Sequence, residues 1–192
     1  DENHRDLGDA EEVINELDIS ILKRLVINFE NSLNLILPPL KIEKGKIMRK
    51  DFLEKLLNIL KNHFNIICID FPGYLFSQDK LCLKEFVNKF VFISLPDIVS
   101  VNNLNILTGN IIYDELYYDF DIVINKYNNR PAVSPSGLNS ILNYPINAFI
   151  PYDRDIEFLM LNKGPDSVFN YNLRIVQSIS SFSRKIYEDL SS

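Results

Sequence analysis

The chain is poor in cysteine, has no long apolar run and carries no excess of basic charge, and each shortage removes a class of answer. Two cysteines, Cys68 and Cys82, among 192 residues cannot make a disulfide framework, so a reducing compartment is expected. No apolar stretch approaches the ~20 residues that span a bilayer, and the polar start D-E-N-H-R-D-L-G-D has none of the marks of a signal peptide. Together these point to a soluble, cytoplasmic protein. With 20 basic against 26 acidic residues the net charge is -6, which argues against bulk binding of nucleic acid through its phosphates. No internal repeat and no low-complexity segment is visible. The chain opens on Asp1 rather than Met, so residues 1–192 are expected to be the C-terminal part of a longer protein.

What is present is apolar content, 46% of residues, enough for one domain with a sizeable core over 1–192. The stretch that organises it is Asn65 to Gly73, N-I-I-C-I-D-F-P-G. Ile66, Ile67, Cys68 and Ile69 run without alternation, as in a parallel strand buried on both faces, and Asp70 ends the run. That position lies where open α/β sheets bind ligands, beyond the carboxyl ends of the strands. Pro72 and Gly73 then turn the chain.

Around this stretch strands and helices alternate. Asp9 can cap a helix over Ala10–Leu17, and Asp18 a second over Ile19–Ile27, where Ile, Val and Leu would also suit a strand. Leu33–Leu37 is a strand stopped by Pro38 and Pro39. The basic run over residues 41–50 reads either as a contact for phosphate or lipid headgroups or as a solvated loop. Asp51–Asn62 has the spacing of an amphipathic helix, with Phe52, Leu53, Leu56, Leu57, Ile59 and Leu60 in one stripe. Helices are further expected over 78–89, 99–117, 136–142, 155–163 (closed by Gly164) and 170–190, and strands over 90–95, 120–125 and 145–150. Five strands alternating with helices give an α/β, doubly wound, mostly parallel sheet with helices on both faces.

Several of these stretches together resemble the MinD/ParA superfamily of deviant Walker ATPases, and within it the pilus-assembly branch of the CpaE/TadZ type. Asn65 to Gly73 is similar to the family's Walker B and switch II segment. F-I-S-L-P-D-I-V, residues 92–99, is similar to the strand and Pro-acidic turn before the next helix. D-I-V-I-N-K, residues 121–126, resembles the strand ending in an Asn-basic pair. Residues 147–165 resemble the I-P-x-D loop and the helix after it, and Gly8-Asp9 resembles the G-D pair following the second strand. The likeness covers nearly the whole chain in the right order.

The resemblance implies a P-loop NTPase-like fold, ATP and Mg²⁺ as ligands, and particular residues for them. Asp70 matches the acid that holds Mg²⁺ through water, and Gly73 the switch glycine near the terminal phosphate. Asn125 matches the amide that reads adenine, able to donate and accept at once. Pro151 and Asp153 match the loop closing over the base. Each has a plainer reading too: Asp70 as a strand-end carboxylate binding local backbone, Asn125 as a turn-former, Asp153 as a surface turn residue.

The departure from the family is its phosphate loop. No G-x-x-x-x-G-K-[ST] occurs, nor the deviant form with an early lysine; K-I-E-K-G-K-I, residues 41–47, has one glycine and Ile47 where a hydroxyl should bind Mg²⁺. The family's two aspartates ahead of the G-D pair fall on Glu2 and His4, with Asp1 and Asp6 able to substitute only in a shifted register. The chain alone is therefore expected not to hydrolyse ATP, the P-loop strand and helix being absent from it. Three functions follow from the resemblance. The first is a CpaE/TadZ-type protein that positions or assembles a pilus or secretion apparatus at the inner face of the membrane, dimerising around ATP. The second is a partitioning or division-site ATPase, and the third a pseudo-ATPase kept as a docking module. Expected partners are a second copy and pilus, secretion or polar-localisation proteins.

Overall fold

The computed structural model describes residues 6–29, 33–39, 49–73, 86–113, 119–128, 133–164 and 166–191. The chain falls into two compact units, Asp1–Val87 and Asn88–Ser192.

In the first unit, α1 (Leu7–Glu12) is capped by Asp6, three residues upstream of the expected Asp9. The Asp6 carboxylate accepts from the Gly8 and Asp9 amides at 2.7 and 3.2 Å, and Asp9 reaches back to the Asp6 amide at 3.2 Å. This reciprocal box satisfies donors that the first helical turn leaves open, which is why the helix starts earlier than Asp9 would allow. A 3₁₀ turn (Ile14–Glu16) follows. Asp18 caps α2 (Ile19–Leu25) as expected, its carboxylate accepting from the Ile21 amide at 2.9 Å. The helix-or-strand ambiguity over 19–27 resolves as both: the chain leaves α2 directly into β1 (Val26–Phe29), which pairs antiparallel with β2 (Leu33–Ile36). A local hairpin thus replaces a lone strand there.

The stripe of α3 (Lys50–Lys61) buries Phe52, Leu56, Leu57 and Leu60 against Ala10, Leu17, Leu22 and Leu25. Each large apolar side chain so buried stabilises by about 1.5–3 kcal/mol, which holds a helix that has no side-chain N-cap. The Lys55 ammonium donates to the Ile14 and Asn15 carbonyls at 2.8 and 3.1 Å, satisfying acceptors of the 3₁₀ turn.

The second unit is a parallel sheet of β3 (Lys89–Ser94), β4 (Asp119–Tyr127) and β5 (Ala148–Pro151), in that order. Between and after the strands come α4 (Ile98–Tyr113), α5 (Pro135–Ile141), α6 (Asp155–Lys163), a 3₁₀ segment (Asp166–Asn170) and α7 (Arg174–Ser191). This is the α/β alternation expected. In β4, Asp121, Ile122, Val123 and Ile124 are buried in succession, the signature of a parallel strand covered on both faces. Phe92, Phe120 and Tyr144 link edge to face across the sheet, with ring centroids 5.7 and 5.2 Å apart. Gly164 ends α6 at φ 85°, a conformation that favours glycine, as its expected closing role requires. Of α7 only Val176 is fully buried; its docking onto the core is shallower than its apolar repeat implies.

At the amino ends of β3 and β4 the Lys89 ammonium lies 2.7, 3.4 and 3.5 Å from carboxylate oxygens of Asp119, Asp121 and Asp189, and Lys185 lies 3.4 Å from Asp121. Burial by itself would lower the Lys89 pKa. The hydrogen bond to Asp119 and the charges of Asp121 and Asp119 together outweigh it and hold the group above its ordinary 10.5.

The expected central strand is the main correction. Residues 65–70 form no strand and pair with none among the described residues, and Ile66 and Ile69 stand 53% and 42% exposed. Cys68, expected inside, is an exposed free thiol. Only Ile67 and Phe71 pack on the core of the first unit. An apolar run states that a strand can be buried on both faces; burial itself needs neighbours, and here one side alone is covered. The helix expected over 78–89 and the basic run over 41–50 lie largely outside the described residues, as do Glu2, His4 and Cys82.

Candidate functional site

In the second unit the register of β4 against β5 builds one sheet edge. Val123 and Ile124 pair with Ala148 and Phe149, and after a shift in register Tyr127 pairs with Pro151. Between these pairs β4 spends one residue more than β5, a bulge that bends the strand and re-aims its side chains. Asn125 and Lys126 occupy it. Lys126 has φ 54°, and is the one non-glycine residue with positive φ among the described residues. For a residue other than glycine that conformation costs about 1–2 kcal/mol. It is held by the Asn125 side chain, whose oxygen accepts from the Lys126 amide at 2.8 Å, and by the Tyr152 amide, which donates to the Tyr127 carbonyl at 2.9 Å.

The result is that Asn125, Pro151 and Asp153 lie on adjoining segments at the carboxyl ends of two paired parallel strands, the ligand-binding edge of an open α/β sheet. Asp153 accepts from the Asp155 amide at 2.9 Å and so braces the start of α6. Lys126 lies 3.8 Å from Glu157, an exposed pair of little energetic weight. Beneath the bulge, the Tyr127 ring meets Phe149 edge to face at 4.7 Å, while its hydroxyl is buried without a hydrogen-bond partner among the described residues. Neither the Lys126 backbone nor Tyr127 was singled out in the sequence. The signal available was the Asn-Lys pair closing an apolar strand, but a bulge depends on the partner's register.

At the carboxyl end of β3, Asp97 accepts from the Ser100 amide at 2.9 Å and from its hydroxyl at 2.7 Å, capping α4. The backbone hydrogen bond from Ser100, then the hydroxyl, hold the Asp97 carboxyl below its ordinary 3.8.

Asp70 and Gly73 belong to the first unit. Asp70 is exposed beyond an unpaired segment. At Gly73 an added Cβ would meet nothing within 4 Å, so no close approach requires glycine there. No group of three or more His, Cys, Asp or Glu among the described residues is placed to hold a metal, and no described helix is long and apolar enough to cross a membrane.

No family model matches the chain, and no curated protein is similar to it in sequence. Solved structures are similar in fold. A ParA family ATPase from Chlorobium tepidum TLS superposes with a TM-score of 0.80 at 19% identity, over 95% of this chain and 76% of that one. The Aquifex aeolicus MinC:MinD cell division protein complex gives 0.70 at 18% identity, over 97% and 75%. The septum site-determining protein MinD of Pyrococcus horikoshii OT3, complexed with Mg-ADP, gives 0.68 at 14% identity, over 93% and 71%. The chain therefore has the α/β fold of ParA and MinD ATPases.

Proposed function

We propose that this chain is the larger part of a MinD/ParA-like nucleotide-binding protein of the CpaE/TadZ type, which positions or assembles a pilus or secretion apparatus by dimerising around ATP. The observation that carries the reading is the bulged junction of β4 and β5, which gathers Asn125, Pro151 and Asp153 at one sheet edge. The fold is similar to that of a MinD complexed with Mg-ADP, which supports a nucleotide as the ligand.

The adenine end of such a ligand fits the edge. The Asn125 oxygen is engaged by Lys126, leaving its NH₂ as donor, and Pro151 offers an apolar wall. The phosphate end does not fit these residues alone. No glycine-rich loop is present in residues 1–192 to cradle phosphates, and Asp70, the Mg²⁺ acid by resemblance, is one exposed carboxylate of the first unit, which would hold Mg²⁺ through water only where phosphates provide inner ligands. No hydrolytic step is assigned to this chain by itself.

The exposed apolar side chains of β3 suggest what a further segment would cover. Val91 and Ile93 are 37% and 66% exposed, although a parallel strand is normally covered on both faces. Chains similar in fold are longer, this one accounting for 71–76% of the three described above. A further strand, phosphate loop and helix, supplied from outside residues 1–192, would cover those side chains.

The second reading is a docking module without hydrolysis. It is favoured by the engagement of Asn125 and Asp153 in local backbone bonds and by the open space at Gly73. A partitioning or division-site role draws on the same fold likeness, and the net charge of -6 weighs against a DNA carpet. Sedimentation velocity with and without Mg-ATP, on the chain carrying an upstream phosphate-loop segment, separates them: nucleotide-dependent dimers support the first reading, and an unchanged monomer supports the docking module.

A further inference from the structure

The first unit holds a cleft of about 560 Å³, within the range that small organic ligands occupy. Its apolar wall is Ile19, Leu22, Val26 and Phe64, of which Leu22 is buried and the others half-buried. Four polar residues, all exposed, complete the lining: Lys23, Asn28, Asn34 and His63. Asn28 and Asn34 are direct partners across the β1–β2 hairpin, so their side chains share one face. Asparagine is a poor strand former, and two of them opposite each other in four-residue strands of Val, Ile, Leu and Phe are unfavourable for the hairpin itself. Among the described residues, the side chains of Lys23, Asn28 and Asn34 make no hydrogen bond or ion pair. The His63 Nδ1–H donates to the Ile59 carbonyl at 2.8 Å, because a carbonyl can only accept. That fixes the ring and leaves Nε2 unspent.

Lys23 and His63 are the titratable residues of the lining described, and no carboxylate joins them, in a chain whose net charge is -6. We propose that this cleft binds a small organic carboxylate, its apolar body on Ile19, Leu22, Val26 and Phe64 and its head met by the Lys23 ammonium and the two amides. An apolar wall with a few convergent polar groups is the usual design of such sites, and the two asparagines supply two of those groups. The lining shares no residue with those assigned to nucleotide, and the proposal does not depend on that reading.

The test is an NMR titration of the full chain with hexanoate, with 1-hexanol and inorganic phosphate as the neutral and head-only controls. The chain has two histidines, so His4→Gln assigns the His63 ring signals. Hexanoate is expected to shift the His63 ring and the Ile19 and Val26 methyls, saturating on the order of 1 mM, with hexanol and phosphate at least about tenfold weaker. Lys23→Met and Asn34→Thr, each checked for an unchanged amide spectrum, are expected to weaken hexanoate about tenfold. No shift at these residues, hexanol binding as well as hexanoate, or full affinity in both variants would overturn the proposal.

Discussion

Tyr127 and Pro151 face each other as register partners across β4 and β5, and the Tyr152 amide closes the pair by donating to the Tyr127 carbonyl at 2.9 Å. The pairing comes one residue late on β4, and that extra residue turns Asn125 and Lys126 out of the ladder onto the sheet edge. The geometry of the candidate site therefore rests on a register shift, not on any single side chain.

The strained position within that shift is Lys126. A β-branched residue tolerates φ 54° poorly, so Lys126→Val is expected to lower the unfolding free energy by about 1–2 kcal/mol. Lys126→Gly is expected to be neutral or slightly stabilising. Urea unfolding of the two variants measures both; equal loss in each would show that the lysine side chain matters and the backbone does not.

Lys89 is the second sensitive point. Its side chain is 6% exposed and that of Asp121 4%. Lys89→Met would leave Asp121 buried with Lys185 alone, at a cost of about 2 kcal/mol, less than a fully isolated buried pair because Asp119, Asp189 and Lys185 reach solvent. Adding Asp121→Asn is expected to recover part of the loss.

The same group gives a pH dependence. Because the folded state holds the Lys89 pKa above 10.5, the proton is bound more tightly in the folded chain. Its contribution is present in full below the unfolded value and disappears as pH rises through the folded one. Stability is expected to fall more steeply above about pH 10 in the native chain than in Lys89→Met; parallel alkaline limbs would contradict this.

Asp97 works in the opposite direction. Its carboxyl is held below the ordinary 3.8 by the Ser100 hydrogen bonds, so its share of stability is present above that value and is lost as pH falls through the folded pKa. Asp97→Ala is expected to cost about 1 kcal/mol at neutral pH through loss of the α4 cap. The difference from the native chain should shrink below about pH 4 in acid unfolding.

How far the fold was legible varied with how local its cause is. The Asp18 cap, the α3 stripe, the apolar run of β4 and the Gly164 stop all follow from neighbours in sequence, and each element formed where its pattern lay. Ile66 to Ile69 shows the limit: four apolar residues fit a buried strand, but pairing is supplied by other segments, and none of the described residues pairs with them. Val26–Phe29 was hidden because α2 runs into it without a turn residue between. At the candidate edge, the motifs drew attention to Asn125, Pro151 and Asp153, which the register of β4 with β5 brings to adjoining segments, whereas the bulge and the buried Tyr127 hydroxyl could not be read, since both depend on that register.

The central proposal is that Asn125, Pro151 and Asp153 form the adenine edge of a nucleotide site whose phosphate loop is not among residues 1–192, and calorimetry with Mg-ATP tests it most directly. The 192-residue chain alone is expected to show no binding. The same chain with a strand, a G-x-x-x-x-G-K-[ST] loop and a helix fused upstream is expected to bind, with Asn125→Ala weakening it about tenfold. Binding by the unfused chain, or a fused chain indifferent both to Mg-ATP and to Asn125, would contradict the account.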